Sequence, residues 1–189
     1  ACMNQAGKKQ EASRIVGRFH ETKGNWREAG TAYAAAGDFQ RAAEAFSKAK
    51  DAGRAADCFT RAGDFYRAGL AFAHAGRFAD AIKVLQRVKE DHPSFEISRG
   101  LLGRCFYEMH DYAHCVAALE NHLTGKRVDS ALLEYFYMLA LAYEQTGRLD
   151  DSLQILRKIH TVDVDFRDVT NRISSISTRI SMKVGPNTV

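Results

Sequence analysis

The sequence predicts an all-α protein built as an array of short antiparallel helical hairpins, and three observations carry that expectation. Only two prolines occur, Pro93 and Pro186, while alanine is abundant and interleaved with charged residues, a composition that favours helix over strand. A pattern of aromatic and alanine residues returns every thirteen positions from Thr31 to Ile82, and glycine closes most of these units. The 189 residues match one ordinary domain or one short repeat array. With 46% hydrophobic and 26% charged residues, wholesale disorder is excluded. No apolar run reaches the roughly eighteen residues of a membrane span; the best, Tyr135 to Tyr143, is cut off by Glu134.

The repeat is seen by stacking the chain. Tyr33, Phe46, Phe59 and Phe72 share one column, Ala36, Ala49, Ala62 and Ala75 a second, and Ala42, Ala55, Ala68 and Ala81 a third. Gly37, Lys50, Gly63 and Gly76 fill the turn position. Gly after an Ala-rich run supplies a left-handed C-terminal cap, and Asp38 or Asp64 just beyond it can start the next helix. Each unit is therefore a helix of about eleven residues, some 16 Å long. Such a helix is marginal alone and must bury its apolar stripe on its neighbours.

Taken in order, these signals place helices at 9–23, 26–36, 39–49, 52–62, 65–75, 78–90, 95–109, 112–124, 129–146, 149–160 and 167–182. The start Ala1-Cys2-Met3 is odd for a natural terminus, so residues 1–8 are expected to be a disordered or appended tail. From Ala62 the spacing lengthens to thirty-four residues: the turn at Gly76-Arg77-Phe78 returns at His110-Asp111-Tyr112 and at Gly147-Arg148-Leu149, after a three-residue insertion near 126–129. The organisation expected is one repeat domain over 9–182, with compact repeats at 9–61 and regular ones at 62–95, 96–132 and 133–166. The stretch 167–182 carries Val169, Ile173, Ile176 and Ile180 at helical spacing and is expected to cap the last repeat; 183–189 is expected to be a flexible tail.

The pair Leu102-Gly103, the aromatic Phe106 three residues on, and the small Cys115 opening the second helix align with Ala68-Gly69, Phe72 and Ala81, and with Leu139-Ala140, Tyr143 and Ser152. With the thirty-four-residue spacing, these residues make the chain resemble the tetratricopeptide repeat family over about 10–166. The shorter N-terminal helices resemble the compact hairpins of vesicle-trafficking adaptors and bacterial multidomain signalling proteins. The resemblance implies a right-handed superhelical solenoid and a non-catalytic scaffold or adaptor that binds other proteins.

No phosphate-binding glycine loop, nucleophile elbow or HExxH is present, so no enzymatic activity and no cofactor are expected. His110, His114, Cys115 and His122 are the one cluster of metal-ligand types, but Cys115 falls in the small buried column, and the histidines read as solvated. Glu134, Glu144, Asp150 and Asp151 read as surface charge, not as an acid–base pair. Cys2, Cys58, Cys105 and Cys115 lack CxxC or metal spacing, which fits a reducing, cytoplasmic setting.

Binding is the remaining activity. In the family's hairpins the first helix of each pair lines the inner, concave face; registering the columns puts Arg14, Arg18, Gln40, Glu44, Tyr66, Leu70, Arg104, Tyr107, Tyr137, Leu141 and Glu144 there. Tyr and Arg are enriched at binding hot spots; alternatively the tyrosines lie against neighbouring helices with only their hydroxyls wet. Chaperone-tail receptors of this family clamp a peptide carboxylate with Lys and Asn, and the matching positions here are Gln40, Tyr66 and Tyr137, so that ligand is not expected. The partner expected is a peptide segment, helix or small domain of another protein, a Ras-like small GTPase being one conceivable client, met by a monomer within a larger multidomain protein of bacterial signalling, polarity or motility type. Two other functions compete. Residues 1–95 hold 16 basic and 11 acidic side chains against 11 and 12 in 96–189, which would suit nucleic acid, but Arg41, Arg54 and Arg67 fall on alternating helices and make no single stripe. A self-associating spacer is the third.

Overall fold

The computed structural model describes residues 2–183, with side chains from 6 to 182. Among the described residues there are eleven α-helices and no strand: α1 Cys2–Thr22, α2 Trp26–Ala35, α3 Phe39–Lys48, α4 Ala52–Ala62, α5 Phe65–His74, α6 Phe78–Leu85, α7 Phe95–Glu108, α8 Tyr112–Leu123, α9 Leu133–Gln145, α10 Leu149–Val162 and α11 Val169–Lys183. Two compact units divide the chain, Ala1–Ser98 and Arg99–Val189. The all-α class agrees with the sequence reading. The tail expected beyond Lys183 lies outside the described residues.

In the first unit each helix packs on the next, from α1 through α6. The buried column runs through it: Ala29, Ala42, Ala55, Ala68 and Ala81 are 0–1% exposed, with Tyr33, Phe46, Phe59 and Phe72 beside them. Small residues permit this close approach. A Cβ on Gly30 would stand 2.8 Å from the Phe46 ring, which no unshifted side chain could accept.

In the second unit α8, α9, α10 and α11 pack in sequence around Leu119, Phe136, Leu156, Ile159, Val169 and Ile176. The predicted cap is present: α11 buries Val169 and Ile176 and half-buries Ile173 and Ile180.

Six of the turns are built alike. Residues at Gly37, Lys50, Gly63, Gly76, His110 and Gly147 all have positive φ. The residue after each donates its amide to the carbonyl of the aromatic five positions before it, as in Asp38 to Tyr33, Asp51 to Phe46 and Arg148 to Tyr143. Asp38, Asp51, Asp64 and Asp111 then accept the amide of the third residue of the following helix.

Three helix ends differ from expectation by more than two residues. α1 begins at Cys2, so residues 2–8 continue the helix where a tail is expected. α6 stops at Leu85 instead of 90, because bonding tightens to Arg87 N–Val84 O and Val88 N–Leu85 O, and the turn delivers Val88 to the core. α9 starts at Leu133 instead of 129, because the Asp129 carboxylate accepts from the Ala131 and Leu132 amides and holds a turn before the helix.

Candidate partner-binding face

The eleven predicted contact residues separate into distinct places. Arg104 and Tyr107 on α7 and Tyr137 and Leu141 on α9 border one cavity of about 450 Å³. Glu108, Met138 and the ion pair between Glu134 and Arg167 (2.6 Å) complete its wall. The floor is aromatic and aliphatic while the rim carries both charges. Burial raises the Tyr107 hydroxyl pKa, helped by neighbouring Tyr112, so the phenol stays a neutral donor.

Tyr137 and Glu144 are not open positions. Tyr137 is 6% exposed. Its hydroxyl donates to Asp168 and accepts from Arg172 Nε at 3.2 Å, with Phe166 edge-on to its ring. Arg172 also reaches Glu144 at 3.1 Å, and Arg179 approaches the same carboxylate at 3.9 Å. The α11 segment thus seats itself on α9 through both residues. Burial alone would raise the Asp168 carboxyl, but hydrogen bonds from Tyr137 and Arg172 overcome it and hold the pKa below normal. Partial burial would lower Arg172, yet Tyr137, Asp168 and Glu144 more than offset it.

In the first unit, Arg18 and Glu44 border a separate polar recess with Trp26, Arg41 and Lys48, and the Lys48 ammonium lies 4.1 Å from the Trp26 ring centroid. Gln40 donates to Glu44 at 2.9 Å and Arg14 pairs with Glu11. Tyr66 faces a smaller recess under the turn after α6, beside Arg87 and His92, and Leu70 is half-buried.

Other candidate chemistry is engaged elsewhere. His110 bonds the Tyr112 hydroxyl and His114 the Asp111 carboxylate. His122 is buried, not solvated as expected, because Gly100 leaves room for its ring: a Cβ there would come 2.9 Å from Nε2. Among the described residues no group of three His, Cys, Asp or Glu side chains could hold a metal ion. Cys58, Cys105 and Cys115 are free and buried, and burial pushes the last two thiols up to about 11 and about 12. The arginines of the basic half are committed as well: Arg41, Arg54 and Arg67 each pair with the aspartate three residues before and lie over Tyr33, Phe46 and Phe59. Sequence reasoning missed this stacking, although the thirteen-residue register of arginine and aromatic was its signal. Among the described residues, no helix is long and apolar enough to cross a membrane.

Two stretches, residues 65–94 and 133–161, match family models of the tetratricopeptide repeat. No curated protein sequence matches the chain. Among solved structures, YrrB, described as a TPR protein with an unusual peptide-binding site, is 16% identical and superposes with a TM-score of 0.62 over 84% of this chain and 89% of its own. MamA from Desulfovibrio magneticus RS-1 is 17% identical, with a TM-score of 0.54 over 92% and 86%. A putative kinesin light chain of Podosopora anserina with TPR-like repeats is 14% identical, with a TM-score of 0.52 over 83% and 96%. At these identities the likeness is one of fold, and together with the two matched repeats it identifies the chain as a tetratricopeptide-repeat protein.

Proposed function

We propose that the chain is a non-catalytic scaffold that holds a segment of another protein in the α7/α9 cavity. The observation that carries this reading is the shared wall formed by Arg104, Tyr107, Tyr137 and Leu141, four residues that the repeat register assigns to one face. Its volume of about 450 Å³ accommodates one or two large side chains, not a folded domain. An apolar or aromatic side chain would enter between Tyr107, Met138 and Leu141, while Arg104 and Glu108 would meet the flanking backbone or charges. The peptide-binding site of YrrB, a protein of like fold, supports a peptide as the ligand class.

Selection of binders from a random twelve-residue peptide library against the intact chain tests this. Winning peptides should share one large apolar residue, and Leu141→Arg should weaken them at least tenfold. Tyr66→Ala, outside the cavity, should leave them unchanged. Peptides insensitive to Leu141→Arg would move the site elsewhere.

A further inference from the structure

The first helix is apolar on two sides. One side meets α2, where Gly17 leaves room for the Tyr33 ring: a Cβ there would stand 2.8 Å from it. The other carries Ala12, Ile15, Val16 and Phe19 at i, i+3, i+4 and i+7, the stripe of a helix built to pack. Yet Ile15, Val16 and Phe19 are 57%, 47% and 54% exposed. Thirteen, twenty-six and thirty-nine residues after Val16 stand Ala29, Ala42 and Ala55, each fully covered by neighbouring helices. Val16 therefore occupies the core column of the array with no helix over it.

Beside this stripe lies a groove of about 620 Å³ between α1 and α2, floored by Ala12, Val16, Ala32 and Ala35. Its rim is mostly cationic: Lys9, Arg27 and Arg54 against the single carboxylate Glu28. Arg54 is bound at 2.7 Å by Asp51, whereas Arg27 reaches that carboxylate only at 3.8 Å. Lys9 and Arg27 are left to select what enters.

We infer that the α1/α2 groove is a second interaction surface and that it takes an acidic amphipathic helix of a partner protein. A helix is specified because every equivalent column position in this unit is covered by one, and the acidic flank follows from the charge of the rim. The surface lies in the first unit and does not depend on the α7/α9 cavity.

The test uses the intact chain and two fluorescein-labelled sixteen-residue probes with leucine at i, i+3, i+4 and i+7. One is flanked by glutamate, the other by lysine. Fluorescence anisotropy should show the glutamate probe binding at least tenfold more tightly than the lysine probe at low salt, with the difference shrinking as salt rises. Val16→Glu should weaken the glutamate probe at least tenfold. Lys9→Glu with Arg27→Glu, both exposed, should reverse the preference and carries the test should Val16→Glu unfold the helix. Equal binding of both probes, binding of neither, or indifference to the charge reversal overturns the inference. So does a dimer in light scattering that Val16→Glu dissociates, which would assign the stripe to a second copy.

Discussion

Arg77 and Asp80 at the start of α6 form the ion pair that opens α3, α4 and α5, but with the two charges exchanged. In the earlier helices an aspartate caps and an arginine follows three residues on; here the arginine sits at the cap and Asp80 takes the third position, 2.8 Å away. Arg148 and Asp151 repeat the exchange at 2.7 Å. In both arrangements the guanidinium ends over the preceding aromatic, Arg77 at 4.4 Å from Phe72 and Arg148 at 4.3 Å from Tyr143. The ring position is what the array holds constant.

That equivalence makes the pair exchangeable. Arg77→Asp or Asp80→Arg alone leaves like charges three apart at a helix start and should lower the thermal midpoint. Combined, they restore the Asp64–Arg67 arrangement and should recover it. A double variant no better than the worse single one would show that the two forms are not interchangeable.

Lys50 occupies the turn column with φ of 56°, where the neighbouring units have glycine. A side chain costs about 1–2 kcal/mol in that conformation, partly offset by the greater flexibility of glycine in the unfolded chain. Lys50→Gly should therefore stabilise by about 0.5–1 kcal/mol, read as a higher urea midpoint with an unchanged slope.

Ser152 is fully buried, and its hydroxyl has no hydrogen-bond partner. Its column holds Ala81 and Cys115, neither of which brings a strong donor. Ser152→Ala removes an unmet polar group worth about 1–3 kcal/mol and should raise stability by about 1 kcal/mol. Loss of stability on calorimetry would point to a partner for that hydroxyl.

A Cβ on Gly103 would lie 2.5 Å from Leu119 Cδ2, and Leu119 is itself fully buried. Gly103→Ala should cost about 1–3 kcal/mol by overpacking, with Leu119→Ala in the same chain relieving part of the clash. Denaturant unfolding of the single and double variants measures the coupling.

The seating of α11 should depend on acid. Asp168 has a folded pKa below its unfolded value near 3.9. Its contribution is complete above that unfolded value and is lost as pH falls through the depressed one. Hydrogen exchange in α11 should accelerate below about pH 4 relative to α9. Tyr137→Phe should reduce this pH dependence, because it removes one of the bonds that depress Asp168.

Much of the fold was legible because the boundaries before α3, α4, α5 and α8 are written twice, once by a turn residue of positive φ and once by a capping aspartate. α3, α4 and α5 end within one residue of expectation for that reason. Where fewer signals exist the reading drifts: no Ser, Thr, Asp or Asn stands just before position 9 to start α1 there, Pro93 is too far downstream to stop α6, and Asp129 caps a turn instead of the helix itself. The candidate face was legible only in part. Column position brought Arg104, Tyr107, Tyr137 and Leu141 together, but it does not encode what α11 will cover. The two residues taken by Arg172 depend on a helix that lies outside the repeat register.

The first and last described helices, α1 and α11, carry chemically opposite outer faces. α11 turns its isoleucines inward and leaves serines and threonines such as Ser174 and Thr178 to water, whereas α1 leaves aliphatic and aromatic side chains uncovered. A helix laid on α1 would bury apolar surface, whereas one laid on the outer side of α11 would have to strip water from hydroxyls for little apolar gain.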